Sequence, residues 1–108
     1  MVKEPEPLFE PNYKLDTIYV KGYRNIAYQM PTVYGPDGTT KLRMTVLFDK
    51  LSSQFAEYDP ITNRVVIRSF MLREEHEGQH QALVKVQFGK ASFDSTLHIV
   101  VSDLKDDQ

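Results

Sequence analysis

The segment from Gln79 to Val101 contains two long runs in which every second residue lies on a common face. Successive side chains of a strand point to opposite sides of a sheet, so each run predicts a strand with one covered face. The connection begins with Gly89, which accepts a positive φ, so the two strands are predicted to form an antiparallel hairpin across Gly89-Lys90-Ala91-Ser92. Apart from Ser95, the predicted inner face is apolar: Ala82, Val84, Val86, Phe88, Phe93, Leu97, Ile99 and Val101. An antiparallel pair of this kind needs a second layer to cover that face.

A second strand pair is predicted between Phe55 and Ser69. Asp59 can accept a backbone N–H two residues on, Pro60 fixes its φ near −65°, and Asn63 tolerates a left-handed conformation. These residues predict a tight turn between a short strand and a strand in which Val65 and Ile67 share one face.

Further strands are predicted in Asn12–Gly22, in Arg24–Met30 before Pro31, and in Leu42–Phe48. Turn-forming residues between Tyr34 and Thr39 predict a loop. About seven short strands with these spacings are typical of an all-β, two-sheet antiparallel sandwich. We expect four residues to share its core: Ile67, Val84, Val86 and Leu97.

The 108 residues are enough for one domain with a sizeable core. Residues 1–7, which are charged and rich in proline, are interpreted as a linker or extension. Residues 8–102 are assigned to the sandwich, and residues 103–108 to an acidic tail or inter-domain linker. We expect Pro11 and Ser102 to lie at opposite ends of the domain.

Composition excludes several classes of function. A net charge of −2 argues against nucleic-acid binding, which needs a basic face. The absence of cysteine excludes disulfides and thiol chemistry. No apolar run approaches the roughly 20 residues that span a bilayer, so direct membrane insertion is not expected. Read literally, a chain that starts without a signal peptide is cytoplasmic; the alternative is a domain of a longer exported protein.

The pattern Phe55, Tyr58-Asp59, Thr62 and the β-branched strand after it resembles the corner of cadherin-like, dystroglycan-type domains. Glu77-Gly78-Gln79-His80 resembles the entry to the penultimate strand of that family, and Leu97–Val101 its last strand. The resemblance covers roughly residues 8–102 and implies an immunoglobulin/cadherin-like sandwich. It also implies an extracellular or cell-surface module, often one of several in series, that serves adhesion or spacing. Some relatives bind calcium.

A competing interpretation comes from His76-Glu77-Gly78-Gln79-His80, which matches the His-Glu-x-x-His pattern of zinc hydrolases. There the two histidines lie one helical turn apart on one metal, and the glutamate activates water. Gly78 disfavours a helix, and the alternation that follows is that of a strand. The alternative interpretation is a solvated acidic loop, Arg73–Gly78, between two strands, with no zinc bound.

Calcium requires several carboxylate and carbonyl oxygens. Asp103, Asp106 and Asp107 follow the last strand, where cadherin-type domains gather calcium ligands between modules, so these three are the candidate metal ligands. No other cofactor is predicted. A surface row of tyrosines could bind a protein or glycan by stacking, and the alternative is that half of them lie in the core: Tyr13, Tyr19, Tyr23, Tyr28 and Tyr34.

The sequence therefore predicts a non-catalytic structural or adhesion module of a larger surface or secreted protein, monomeric in isolation, with neighbouring domains as its partners. The second hypothesis is a free-standing interaction sandwich that binds partners along an edge strand. The zinc hydrolase is the third.

Overall fold

A computed structural model describes residues 13–104 of the chain. Strands and short 3₁₀ turns make up the regular structure of this part. The strands are β1 Ile18–Lys21, β2 Ile26–Gln29, β3 Arg43–Phe48, β4 Ala56–Asp59, β5 Arg64–Ile67, β6 Gly78–Phe88 and β7 Ala91–Ser102. The 3₁₀ turns are Ser52–Gln54, Ser69–Met71 and Glu74–His76.

The strands form two sheets, which confirms the predicted all-β sandwich. The four-stranded sheet has the order β1-β7-β6-β3, and the three-stranded sheet has the order β2-β5-β4. One pair departs from the predicted antiparallel arrangement, because β1 runs parallel to β7 with Ile18 opposite Ile99. The remaining ladders are antiparallel.

The β6–β7 hairpin is the longest ladder, running from Gly78 opposite Val101 to Phe88 opposite Ala91. Its connection is shorter than predicted, since only Gly89 and Lys90 lie between the strands. Gly89 has a φ of 59°, the left-handed conformation expected at this turn.

The core lies between the sheets and is filled by the predicted alternation. Ile67, Val84 and Leu97 are fully buried in one cluster. Val86 is fully buried too but lies beyond that cluster, opposite Met44 on β3 and Phe93 on β7. Burial of a leucine or valine side chain contributes about 1.5–3 kcal/mol, so these positions stabilise the contact between the layers.

The first predicted strand is the least accurate of the sequence-based assignments. Of the segment Asn12–Gly22, only Ile18–Lys21 forms a strand, and Gly22, with a φ of 78°, ends it. The residues before β1 cross between the sheets instead: the Tyr28 hydroxyl accepts a hydrogen bond from the Asp16 N–H at 3.1 Å.

The chain enters and leaves the sandwich beside different positions along the length of β7. The Tyr13 hydroxyl lies 2.6 Å from the Ser95 hydroxyl, near the middle of β7, whereas Ser102 ends that strand. Because β1 and β7 are parallel, the entering chain runs toward the same end by which the chain leaves. Pro11 lies outside the described residues. The packed part of the chain continues past Ser102, because Leu104 is fully buried.

Candidate functional site

The β4–β5 turn has the predicted geometry. The Asp59 carboxylate accepts the Ile61 N–H at 2.9 Å and the Thr62 hydroxyl at 3.0 Å. These bonds favour the ionised carboxylate and lower the pKa of Asp59. Asn63 has a φ of 57°, the left-handed conformation that the sequence predicts for it.

Asn63 also ties this turn to the end of β2, which the sequence did not indicate. Its amide Nδ2 donates to the carbonyl oxygens of Met30 at 3.1 Å and Pro31 at 3.2 Å. Its Oδ1 accepts a hydrogen bond from the Tyr58 hydroxyl at 2.5 Å. One side chain therefore connects β2, β4 and the turn between β4 and β5.

A groove runs along the side of the sandwich where β3 and β4, the edge strands of the two sheets, face each other. Two depressions of about 320 and 480 Å³ share Arg43, Met44, Tyr58 and Pro60 and so form one continuous groove. Met44, Phe48 and Tyr58 line it, and each is half-buried against the core. The core is thus incompletely covered on this side.

The cations at this groove lack carboxylate partners among residues 13–104. Lys41 and Arg43 are exposed and form no ion pair there. The acid that lines the groove, Glu57, pairs with Arg68, whose Nε lies 2.9 Å from Glu57 Oε1. Asp37, in the loop before Lys41, accepts the backbone N–H groups of Thr39 and Thr40. Among the described residues that line the groove, the charges without an ion-pair partner are therefore positive.

His76 and His80 occupy a buried cluster around Phe55. The rings lie 4.9 Å and 5.1 Å from the Phe55 ring, measured between centroids. His76 is 1% exposed and His80 5% exposed. The His80 ring packs edge-on against Phe55, as an aromatic ring would.

The hydrogen bonds of His76 define its tautomer. The Arg73 N–H donates to Nδ1 at 2.8 Å, so the ring proton is on Nε2, which donates to Gln54 Oε1 at 2.9 Å. His80 Nε2 donates to the His76 carbonyl at 2.6 Å. Burial disfavours the charged imidazolium and lowers the pKa of His76.

This arrangement differs from the helical one that a His-Glu-x-x-His zinc site requires. His76 ends a 3₁₀ turn and His80 lies in β6, which begins between them at Gly78. Both nitrogens of His76 are hydrogen-bonded to the protein, and the carboxylate of Glu77, the residue that activates water in such a site, accepts the Leu104 N–H at 3.2 Å. Residues 13–104 contain no group of three or more His, Asp or Glu placed to hold a metal ion. The acidic residues of Arg73–Gly78 are exposed as expected, but His76 points inward.

The acidic exit of the chain is described as far as Leu104. Asp103 is largely exposed, and its carboxylate lies 4.0 Å from Lys21 Nζ. Glu77 contacts the same end of the domain through its bond to the Leu104 N–H. The other two candidate calcium ligands, Asp106 and Asp107, lie outside the described residues.

The tyrosines contact several different elements. The Tyr13 hydroxyl contacts β7, the Tyr28 ring packs against the core, and the Tyr23 hydroxyl donates to the Leu104 carbonyl at 3.3 Å. Tyr19 and Tyr34 are exposed on β1 and on the loop before β3, at 71% and 44%. These contacts spread the five rings over the domain rather than along one strand.

Within residues 13–104, no helix has the length and apolar character needed to cross a membrane. No protein-family model matches the chain, and no curated protein does. A solved structure of Drosophila OTK, extracellular domains 3-5, is similar in fold, with a TM-score of 0.52 and 14% sequence identity. The similarity covers 79% of this chain and 27% of that one, so this chain spans about a quarter of the multi-domain structure it matches. The chain therefore has an immunoglobulin-like β-sandwich fold.

Proposed function

We propose that this chain is a non-catalytic structural and adhesion module, placed in series with other domains of a larger cell-surface or secreted protein. The observation that carries the proposal is the path of the chain. It enters beside Ser95, runs along β7 through β1, and leaves beyond Ser102. From Ser95 to Asp103 the extended chain advances by about 26 Å, at about 3.3 Å per residue. A domain threaded in this way holds the entering and leaving chain about this distance apart.

The similarity to extracellular domains of OTK supports this proposal, because that structure holds several domains in one chain. The buried, hydrogen-bonded histidines support a non-catalytic role, since they are engaged in packing the core. The cadherin-like, dystroglycan-type assignment is supported by the corner from Phe55 to Thr62 and is part of the proposal. A protein or glycan ligand is proposed in addition to the neighbouring domains.

A tandem protein tests the series arrangement. Two complete copies of the chain, with Gln108 of the first joined to Met1 of the second, are compared with the single chain by small-angle X-ray scattering. We expect a monomeric single chain and an elongated tandem whose maximum dimension is close to twice that of one copy. A compact tandem with the two copies side by side would contradict the proposal.

Distances within one copy test the path itself. The chain has no cysteine, so spin labels attach only at introduced positions. Labels at Lys14→Cys and Asp103→Cys should be separated by about 26 Å plus the label arms. Labels at Lys14→Cys and Asp94→Cys are the matched control and should lie close together, because both residues line one depression beside β7. Equal distances for the two pairs would exclude entry and exit at different ends.

We also propose calcium binding at the exit, through Asp103 together with Asp106 and Asp107. The exposed Asp103 carboxylate, next to the Glu77–Leu104 contact, supports this site. Calcium there would stiffen the junction with the next domain by holding several carboxylates together.

A further inference from the structure

The edges of β3 and β4 that face the groove could bind a further strand, a property that a domain serving only to separate its neighbours does not need. Among the described residues, β3 is paired only with β6, and β4 only with β5. The backbone N–H and C=O groups on their other sides have no strand partner there. An unpaired edge of this kind is a template for an additional strand.

The edge of β3 is the longer of the two. Arg43–Phe48 has six residues, against four in Ala56–Asp59. On β3 the side chains of Met44, Val46 and Phe48 face inward, while Arg43, Thr45 and Leu47 face outward. Met44 and Phe48 remain half-buried, so an incoming strand with an apolar residue at every second position would cover them and gain from their burial.

The charges along the groove select among such strands. Among the described residues that line the groove, Lys41 and Arg43 form no ion pair, whereas Glu57 is paired with Arg68. An incoming carboxylate can form a bidentate pair with the planar Arg43 guanidinium, which stabilises and orients the strand. An incoming lysine would meet two cations.

We propose that the groove between β3 and β4 binds an extended segment of a partner protein by strand addition to β3. The segment alternates apolar and acidic residues, and its carboxylates pair with Lys41 and Arg43. This inference is independent of the series arrangement, since a single isolated domain carries the whole groove.

Peptide binding tests the proposal. The probe is a nonapeptide of alternating valine and glutamate, with its ends blocked, titrated into the complete chain and followed by NMR and isothermal titration calorimetry. We expect binding that weakens as salt is added, with the largest amide shifts in Arg43–Phe48. No binding at peptide concentrations on the order of 1 mM would overturn the proposal.

Modified peptides separate strand addition from simple charge attraction. In an antiparallel pair, alternate residues direct their N–H groups to the partner strand. N-methylation of one alternate set should therefore abolish binding, and methylation of the other set should leave it intact. A peptide with lysine in place of glutamate should not bind. Equal binding of both methylated peptides would exclude strand addition.

Matched protein variants locate the site. Arg43→Glu should weaken binding by about tenfold or more, as expected for loss of a charged hydrogen bond. Arg24→Glu changes the same charge on the exposed segment between β1 and β2 and should leave binding unchanged. Arg43→Gln guards against a folding defect, because it keeps a long polar side chain and should still weaken binding. An equal loss for Arg24→Glu, or largest amide shifts in β1 or β2, would refute the groove as the binding site.

Discussion

The contacts of Asn63 predict how strongly one polar side chain stabilises the sandwich. Asn63→Gly retains the left-handed backbone but removes three side-chain hydrogen bonds, to Met30, Pro31 and Tyr58. A net hydrogen bond contributes about 1 kcal/mol, so the variant should lose about 3 kcal/mol. The greater freedom of glycine in the unfolded chain adds up to about 1 kcal/mol.

Two further variants separate the contributions of backbone and side chain. Asn63→Ala loses the same three bonds and must also hold a Cβ in the left-handed region, which costs about 1–2 kcal/mol. We expect it to be the least stable. Tyr58→Phe removes one bond and should cost about 1 kcal/mol. In the Asn63→Gly background, Tyr58→Phe should cost much less, because its partner is already absent.

Urea unfolding measures these differences. With a slope of about 1.5 kcal/mol per M, a loss of 3 kcal/mol lowers the midpoint by about 2 M. A midpoint for Asn63→Gly within about 0.5 M of the parent would refute the stabilising role of the side chain. Equal midpoints for the alanine and glycine variants would mean that the strain of a Cβ in the left-handed region is no larger than the destabilisation due to the freedom of glycine in the unfolded chain.

Four other outcomes are expected. Leu97→Ala should cost about 2–5 kcal/mol in urea unfolding, whereas Leu83→Ala, on the exposed face, should cost far less. The pKa of His76 is lowered in the folded chain, so below the unfolded-state pKa of about 6.5 the unfolded chain binds a proton more readily than the folded one. The free energy of unfolding should therefore be retained above that pH and fall below it. In urea titrations from neutral to mildly acidic pH, His76→Phe should flatten this dependence. Calcium, and not magnesium, should raise the melting temperature of the chain, and Asp103→Asn should reduce that rise; an unchanged rise would place the ion elsewhere. Elemental analysis of protein purified without metal-affinity chromatography should find no stoichiometric zinc, and one zinc per chain that is lost in His76→Ala would revive the hydrolase interpretation.

The sequence predicted those parts of the fold that depend on local periodicity. The alternation in β6 and β7 indicated both strands and their buried face. Asp59 and Asn63 indicated the turn because Asp59 bonds to the backbone two residues on and Asn63 itself adopts the left-handed conformation. Residues before β1 were harder to assign. Leu15 and Ile18 suggested one long strand, but the chain there crosses between sheets, and only tertiary contacts such as that of Asp16 with Tyr28 determine where β1 begins.

The candidate sites were less predictable, because they depend on pairs of residues far apart in sequence. His76 alone indicates either a ligand or a buried ring, and the choice depends on Gln54, which lies on a different 3₁₀ turn. The sequence did not indicate at which end of the domain the loop Arg73–Gly78 lies; in the structure, Glu77 of this loop contacts Leu104 at the exit of the chain. No spacing rule relates these positions, since the contacts arise from the packing of the two sheets.

The groove follows from the topology of the two sheets. Each sheet of a sandwich has two edges, and here β1 and β2 lie on one side while β3 and β4 lie on the other. The entering chain contacts both β2 and β7 on the first side, through Tyr28 and Ser95. Among the described residues, no strand pairs with the outer edge of either β3 or β4 on the second side. The sequence alone predicts that edges exist, but the order of the strands determines which side remains open among the described residues.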